Sequence, residues 1–597
     1  MREFSLPALA EVPADASLAQ VVFRRAAEQP QAVILRRQSG DSWTDVTAAT
    51  FKDEVVALAK GLVAAGIGPG DRVALMSHTR YEWTLIDYAL WTAGAACIPV
   101  YETSSAEQAE WILSDSGAKA CFAENAGFEA MIEGFRDRVP ALEQVWRIDS
   151  LQTLTDGGKA VQDEEITART AAVQAADLAT LIYTSGTTGR PKGCELTHHN
   201  LLADVRNAFM GPLADVTGTG DSSTLLFLPL AHVFARIIEV GCIEGGAVLG
   251  HCASLTDILP TLASFRPTFI LAVPRVFEKV FNGAQQRAES ERKGAIFSRA
   301  ADTAIAYSRA LDTGSGPALR LRLRHGLFDK LVYGKLRAAL GGQVRYAVSG
   351  GAALDERLCH FFRGIGVTIL EGYGLTETTA AATVNRPDRV KIGTVGQPLP
   401  GVAIRIDQDG EVLIKGANVF GGYWGNEAAT ADTFAEERWF RSGDIGEIDD
   451  EGFLSITGRK KEMIVTAGGK NVAPAVLEDR LRSHALISQC MVVGDNQPYV
   501  AVLITLDEEA LGPWKEKYGK PADASVASLK DDPELIAEVQ AAVDDANKAV
   551  SRAESIRKFA ILDVDFTQEA GQLSAKLGIR RSVLMKDFAD DVAALYS

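Results

Sequence analysis

Leu181-Ile182-Tyr183-Thr184-Ser185-Gly186-Thr187-Thr188-Gly189-Arg190-Pro191-Lys192-Gly193 decides how this chain is read. A short apolar strand runs into a loop of glycines and hydroxyls that ends in a lysine. Leu201, Leu202, Val205 and Phe209 then recur at helical spacing behind an N-cap at Thr197. Glycines let backbone amides approach phosphate oxygens, the hydroxyls add donors, and Lys192 brings a point charge suited to a polyphosphate. A Walker A loop needs Lys directly after Gly and a Ser or Thr after Lys. Here Arg190-Pro191 intervene and Gly193 follows, so this is a different phosphate cradle.

Upstream, from Phe51 to Val100, a helical pattern alternates with Val73-Ala74-Leu75-Met76 and Cys97-Ile98-Pro99-Val100, the signature of a layered α/β domain. Downstream, strands are expected at 224–228, 268–273, 343–348 and 367–370, and a long charged helical excursion at 284–340. After Gly401 the pattern shifts to short alternating strands, 403–406 and 411–414, joined by Asp407-Gln408-Asp409-Gly410. Past Gly458-Arg459-Lys460-Lys461-Glu462 a strand, a helix near 475–482 and strands at 490–493 and 500–506 read as a separate α+β unit. The expected organisation is a large N-terminal domain over 1–457, with a β-rich subdomain at 400–457, and a mobile C-terminal domain over 458–597.

A formal charge of -17 argues against nucleic-acid binding and against broad adhesion to anionic lipid, since both draw on clustered Lys and Arg. The seven cysteines show no C-x-x-C spacing, so neither a zinc cage nor a disulfide framework is indicated and a reducing cytoplasm fits best. No secretory leader and no bilayer-spanning apolar run is read, so any membrane contact is peripheral, at the inner face.

At the 183–193 loop the chain resembles the adenylate-forming superfamily of acyl-CoA synthetases, peptide-synthetase adenylation domains and firefly-type luciferases. The resemblance extends through Ala93-Gly94-Ala95-Ala96-Cys97-Ile98-Pro99-Val100-Tyr101 and Leu228-Pro229-Leu230-Ala231-His232-Val233-Phe234, in order and spacing. It implies that Thr184, Ser185, Gly186, Thr187, Thr188, Gly189 and Lys192 hold the ATP phosphates. Gly350, Gly351, Glu371, Gly372, Tyr373, Gly374 and Thr376 would then frame the adenine and α-phosphate, with Glu377 as the Mg²⁺ ligand. Asp444 and Arg459, in Arg441-Ser442-Gly443-Asp444 and Ile456-Thr457-Gly458-Arg459, would hold the ribose. Taken alone, Asp444 reads as a turn residue.

By the same resemblance Lys461 is the hinge, His232 lines the acyl or coenzyme A path, and Gly468, Gly469 and Lys470 approach the pantetheine after rotation. Leu271-Ala272-Val273-Pro274-Arg275-Val276-Phe277-Glu278-Lys279-Val280 together with Glu371-Gly372-Tyr373-Gly374-Leu375-Thr376-Glu377-Thr378 resembles bacterial long-chain fatty-acyl-CoA synthetases. That implies ligation of a fatty acid to coenzyme A through an acyl-AMP. An apolar tunnel is expected between residues 230–250 and 345–380.

One departure stands out. The family pattern G-x-L-T-P-T-x-K-x-K-R, laid on Gly571-Gln572-Leu573-Ser574-Ala575-Lys576-Leu577-Gly578-Ile579-Arg580-Arg581, puts Gly578 where a catalytic lysine belongs. Lys576 stands two positions earlier, about 6.6 Å along an extended segment and on the same face. Two other readings therefore stay open: a fatty acyl-AMP ligase serving a carrier protein, and a nucleotide- or acyl-binding protein with impaired catalysis.

Overall fold

The computed structural model describes residues 1–40, 42–184, 190–218, 220–254, 257–468, 470–574 and 578–597. It is built on α/β layers, as the alternating pattern implied. One six-stranded sheet runs in the order 144–147, 120–123, 72–76, 96–100, 178–184, 192–197. Its first five strands are parallel, and Arg72–Met76 and Ala96–Val100 are apolar and almost wholly buried because helices cover both faces.

The last strand, Lys192–Thr197, pairs antiparallel with Leu178–Thr184, with Thr184 opposite Lys192. The sequence reading passed directly from the phosphate loop to the helix and missed this strand. The loop therefore closes a hairpin, and Lys192 opens the returning strand. The helix His198–Met210 does begin at Thr197, through a reciprocal capping box with Asn200.

A second sheet, ordered 223–226, 248–251, 33–39, 42–47, meets a third, ordered 269–272, 346–349, 368–373, 383–384, 397–398. The backbone amide of Thr268 donates to Ser223 O at 2.9 Å and joins their edges. The helical excursion follows strand Phe269–Ala272 as helices Pro274–Ser290, Gly294–Leu311 and Leu319–Phe328. The last continues through a π turn, Asp329–Tyr333, into Gly334–Ala339. Phe277, Phe281, Phe297, Phe361 and Phe362 knit the excursion to the α/β body.

The β-rich unit is the antiparallel sheet 402–406, 411–416, 440–448, 454–459, with Glu3–Ser5 added as an edge strand next to 402–406. That pairing spans nearly the whole N-terminal part of the chain and leaves no local signal. Strand pairing extends to Arg459, and a short 3-10 turn, Lys460–Glu462, leads out. Beyond it the sheet 487–493, 500–506, 556–561 and its helices enclose apolar clusters drawn only from residues after 463, the mark of an independently packed domain. Among the described residues, no helix is long and apolar enough to cross a membrane.

Candidate functional site

The root of the phosphate loop is fixed from several sides. The Tyr183 phenol donates to Asp115 at 2.7 Å, and Trp111 Nε1 donates to Pro191 O at 2.9 Å. The Arg190 guanidinium lies 4.6 Å from the centre of the Trp111 ring. Gly193 is required by close approach, because a Cβ there would stand 3.0 Å from the Tyr183 ring. Ser185, Gly186, Thr187, Thr188 and Gly189 lie outside the described residues.

Lys192 and Glu377 meet on Tyr423. The ammonium of Lys192 lies 4.9 Å from the ring centre, and the phenol donates to Glu377 Oε1 at 2.8 Å. Burial, and then the charge of Glu377, push the Tyr423 phenol upward, so it stays a donor. The segment carrying Tyr423 lies along strand Lys192–Thr197 through Trp424 N to Gly193 O at 2.8 Å and Glu195 N to Gly422 O at 3.0 Å.

Glu377 sits in the 3-10 turn Thr376–Thr378, with Thr376 buried, and its carbonyl accepts from Phe420 N at 2.9 Å. The turn is followed by two non-glycine residues in left-handed conformation, Thr379 (φ 56°) and Ala380 (φ 90°). Such residues cost about 1–3 kcal/mol each and persist only when their surroundings hold them. Asn418 does so, its side-chain amide donating to Thr378 O at 3.1 Å and Ala381 O at 3.0 Å and its backbone carbonyl accepting from Thr379 Oγ1 at 2.6 Å. Gly374 is obligatory, since a Cβ there would fall 1.6 Å from Ala380 O.

Four residues away, Tyr373 donates to Asp444 Oδ2 at 2.7 Å, and Arg459 Nε donates to Asp444 Oδ1 at 2.9 Å. Burial and then Asp444 push the Tyr373 phenol up, keeping it a donor. The tether fixes the ring beside a carboxylate with lone pairs left for a vicinal diol. Glu411 braces this corner. It accepts from Gly443 N at 3.0 Å and pairs with Lys460 at 2.9 Å, next to Lys461, which is exposed.

On the other flank Gly350 packs against Phe234, whose Cζ would stand 3.2 Å from a Cβ, so the two segments expected to border a tunnel do face each other. Gly351 (φ 85°) uses glycine's freedom, and at Gly372 a Cβ would meet Thr383 O at 3.1 Å. The Glu371 side chain turns inward: it accepts from Leu354 N at 3.2 Å and from the Cys359 thiol at 3.4 Å, and burial pushes it up to about 7. His232 caps the helix Val233–Gly245 by accepting from Phe234 N at 3.0 Å.

Of the C-terminal expectations, Lys470 is paired within its own domain, to Glu554 at 3.4 Å, and Gly469 is outside the described residues. Gly468 lies in the turn before it. Ser574 N donates to Gly578 O at 2.8 Å and Gly578 N to Ser574 Oγ at 3.2 Å, making a narrow stem. Ala575, Lys576 and Leu577 lie outside the described residues. Tyr423, Asn418 and Glu411 were missed in the sequence, because each acts across 30 or more residues.

A Mg²⁺ ion fits this donor set. Glu377 offers one aligned carboxylate, and among the described residues no group of three or more His, Cys, Asp or Glu gathers into a metal cage. One carboxylate plus substrate phosphates and water is how Mg²⁺ is commonly held.

The AMP-binding enzyme family profile matches residues 22–424, and that of the AMP-binding enzyme C-terminal domain matches 461–597. The chain is 50% identical over 602 residues, covering 100% of both chains, to the long-chain-fatty-acid--CoA ligase FadD15 of Mycobacterium tuberculosis. Among solved structures it is similar to the A-PCP didomain of the carboxylic acid reductase from Segniliparus rugosus in complex with AMP. There the TM-score is 0.75 at 19% identity, over 98% of this chain and 83% of that one. It is also similar to O-succinylbenzoate coenzyme A synthetase from Bacillus subtilis in complex with ATP and magnesium. That match has a TM-score of 0.67 at 21% identity, over 94% and 98% of the two chains. At these identities the solved structures speak for the fold.

Proposed function

The chain belongs to the AMP-binding enzyme family, and on that premise we propose that it ligates a long-chain fatty acid to coenzyme A through an acyl-AMP. One observation carries the reading. Residues 373–377 place the Tyr373 ring, tethered to the Asp444 carboxylate, at one end and the Glu377 carboxylate, which shares Tyr423 with Lys192, at the other.

In the first half-reaction a carboxylate oxygen attacks the ATP α-phosphorus and pyrophosphate leaves with the electron pair of the broken P–O bond. Two anions must meet, and fixed opposing charge is usually the largest catalytic contribution. Lys192 supplies that charge at the polyphosphate, and the Ser185–Gly189 loop adds donors. When bound, Mg²⁺ held through Glu377 neutralises phosphate oxygens. Tyr373 positions the adenine, and Asp444 with Arg459 holds the ribose.

In the second half-reaction the coenzyme A sulfur attacks the acyl carbon, its proton passes to solvent and AMP departs. Rotation about Lys461 brings Gly468–Lys470 to the pantetheine, and His232 shapes the path by capping its helix. The seven cysteines are all buried, which suits the cytoplasm.

The test is to incubate the protein with palmitate, MgATP and coenzyme A and identify products by mass. Palmitoyl-CoA and AMP are expected. Retained palmitoyl-AMP without thioester would instead assign the fatty acyl-AMP ligase reading. Absence of pyrophosphate release would assign the impaired binding protein, the reading that Gly578 motivates.

Tyr423→Phe removes a hydrogen bond to a charged group, an interaction of about 1.5–3 kcal/mol. It should therefore slow pyrophosphate release about tenfold or more at limiting magnesium, with partial recovery at high magnesium. An unchanged magnesium titration would remove Tyr423 from the site.

A further inference from the structure

The helix Leu319–Phe328 and its π-turn extension carry a surface that the ligase chemistry does not use. Leu319, Leu323, Leu327 and Leu331 recur every fourth residue and are 72%, 68%, 57% and 53% exposed. Positions four apart share a helix face, so these leucines form one outward stripe. The opposite face is firmly seated. Phe328 and Tyr333 are buried, His325 stacks on Tyr307 at 3.9 Å, and its Nε2 bonds Gly364 O at 2.6 Å. The stripe is therefore held outward by the fold.

Its borders are cationic. Arg320, Arg322, Arg324, Lys330 and Lys335 are exposed, while Asp329, the one acid in 319–337, is engaged by Arg337 at 2.7 Å. This concentration stands in a chain whose formal charge is -17. The charge of the whole chain, used above against lipid adhesion, conceals a local patch of the opposite sign.

We propose that this face seats the protein on an anionic lipid bilayer, with the leucines in the headgroup–acyl boundary and the flanking cations on lipid phosphates. Long Arg and Lys stems let the charge reach the headgroups while their methylenes follow the apolar side chains down. A negative leaflet attracts such a patch and repels the acidic remainder, which fixes the orientation. A two-fold contact between copies would set arginines against arginines, and a nucleic acid would leave the leucines in water.

The excursion starts at Pro274, directly after Val273, whose Cγ1 lies 3.9 Å from a Cβ placed on Gly351. The docking face is thus built on helices that lead from the wall of the site. Delivery of an apolar acid from the bilayer would rest on the long-chain reading; the docking itself does not.

The test sediments the full-length protein with vesicles of phosphatidylglycerol and phosphatidylcholine in equal parts, and with phosphatidylcholine alone. Wild type should partition at least about tenfold more strongly onto the anionic vesicles. L319Q/L323Q/L327Q/L331Q should lose at least about tenfold of that binding, and R320Q/R324Q should lose most of it at raised salt. All variants should keep wild-type turnover on acid supplied below its micellar concentration. L327C carrying an environment-sensitive dye gives a reading that survives any folding defect of the quadruple variant: its emission should shift to the blue on anionic vesicles only. The proposal is overturned if wild type fails to sediment, if the leucine variant binds equally, or if the dye does not respond. A wild-type dimer that the leucine variant makes monomeric, with no vesicle binding, would overturn it in favour of a contact between copies.

Discussion

Lys576→Ala is expected to slow acyl-adenylate formation by about 10²- to 10³-fold, the usual effect of removing a charge that meets the developing anion. Thioester formation from supplied acyl-AMP should stay near wild type, because in the proposed cycle the C-terminal domain turns about Lys461 before the second half-reaction. The informative partner is Gly578→Lys. The hydrogen bonds between Ser574 and Gly578 hold the backbone there, and among the described residues a Cβ on Gly578 would meet only Ser574 Oγ, at 3.4 Å, an ordinary contact.

A lysine at 578 in the Lys576→Ala background should restore a large part of the adenylation rate. Pyrophosphate release and acyl-AMP consumption, measured separately, decide the matter. If Lys576→Ala adenylates as well as wild type, the two-residue displacement is no substitution at all. The charge must then come from elsewhere.

The second large effect is on stability. Arg236 and Asp87 form an ion pair with both side chains wholly inaccessible, through Nε–Oδ2 at 3.0 Å and a closer Nη2–Oδ1 contact. Arg236 Nη1 also donates to Thr180 Oγ1 at 2.7 Å, on the strand that enters the phosphate loop. The guanidinium lies 5.1 and 5.5 Å from the ring centres of Trp83 and Trp91. Helix Tyr81–Ala93, helix Val233–Gly245 and strand Leu178–Thr184 are thus locked around one charge.

Removing one partner strands the other in the core, which costs about 3–5 kcal/mol. Arg236→Met should lower the unfolding midpoint of the N-terminal domain accordingly, and Asp87→Asn/Arg236→Met should recover part of the loss. An unaltered midpoint would show the pair to be dispensable. Burial, and then the charge of Asp87, push the nearby Glu239 carboxyl up, since one guanidinium cannot compensate two carboxylates. Above the ordinary carboxylate range the folded chain retains a proton that the unfolded chain has released, so stability falls as pH rises toward Glu239's raised value. Glu239→Gln should flatten that slope in thermal unfolding followed across pH.

What was legible in the sequence was local. Alternating apolar runs, the Thr197 cap and the 183–193 loop are set by neighbouring residues, because strand and helix periodicity and phosphate-binding chemistry act over a few positions. Tyr373, Thr376 and Glu377 fall on one short segment for the same reason. The strand Lys192–Thr197 escaped because its six residues run straight from the loop into a capped helix with no turn residue between them. Glu371, read as part of the nucleotide frame, has a side chain that braces Leu354 instead, a choice made by a neighbour 17 residues away.

The chain by itself determined the layered α/β architecture, the separate C-terminal unit and the chemical character of the site, since residue type and short-range spacing suffice for those. Only the tertiary structure decided that Tyr423 joins Lys192 to Glu377, that Glu411 braces Gly443 beside Asp444 and that Glu3–Ser5 closes the β-rich sheet. It also turned the leucines of 319–331 outward. Each of these rests on contacts between residues remote in sequence, or on which face of a helix the remainder of the fold covers, and no local pattern encodes either.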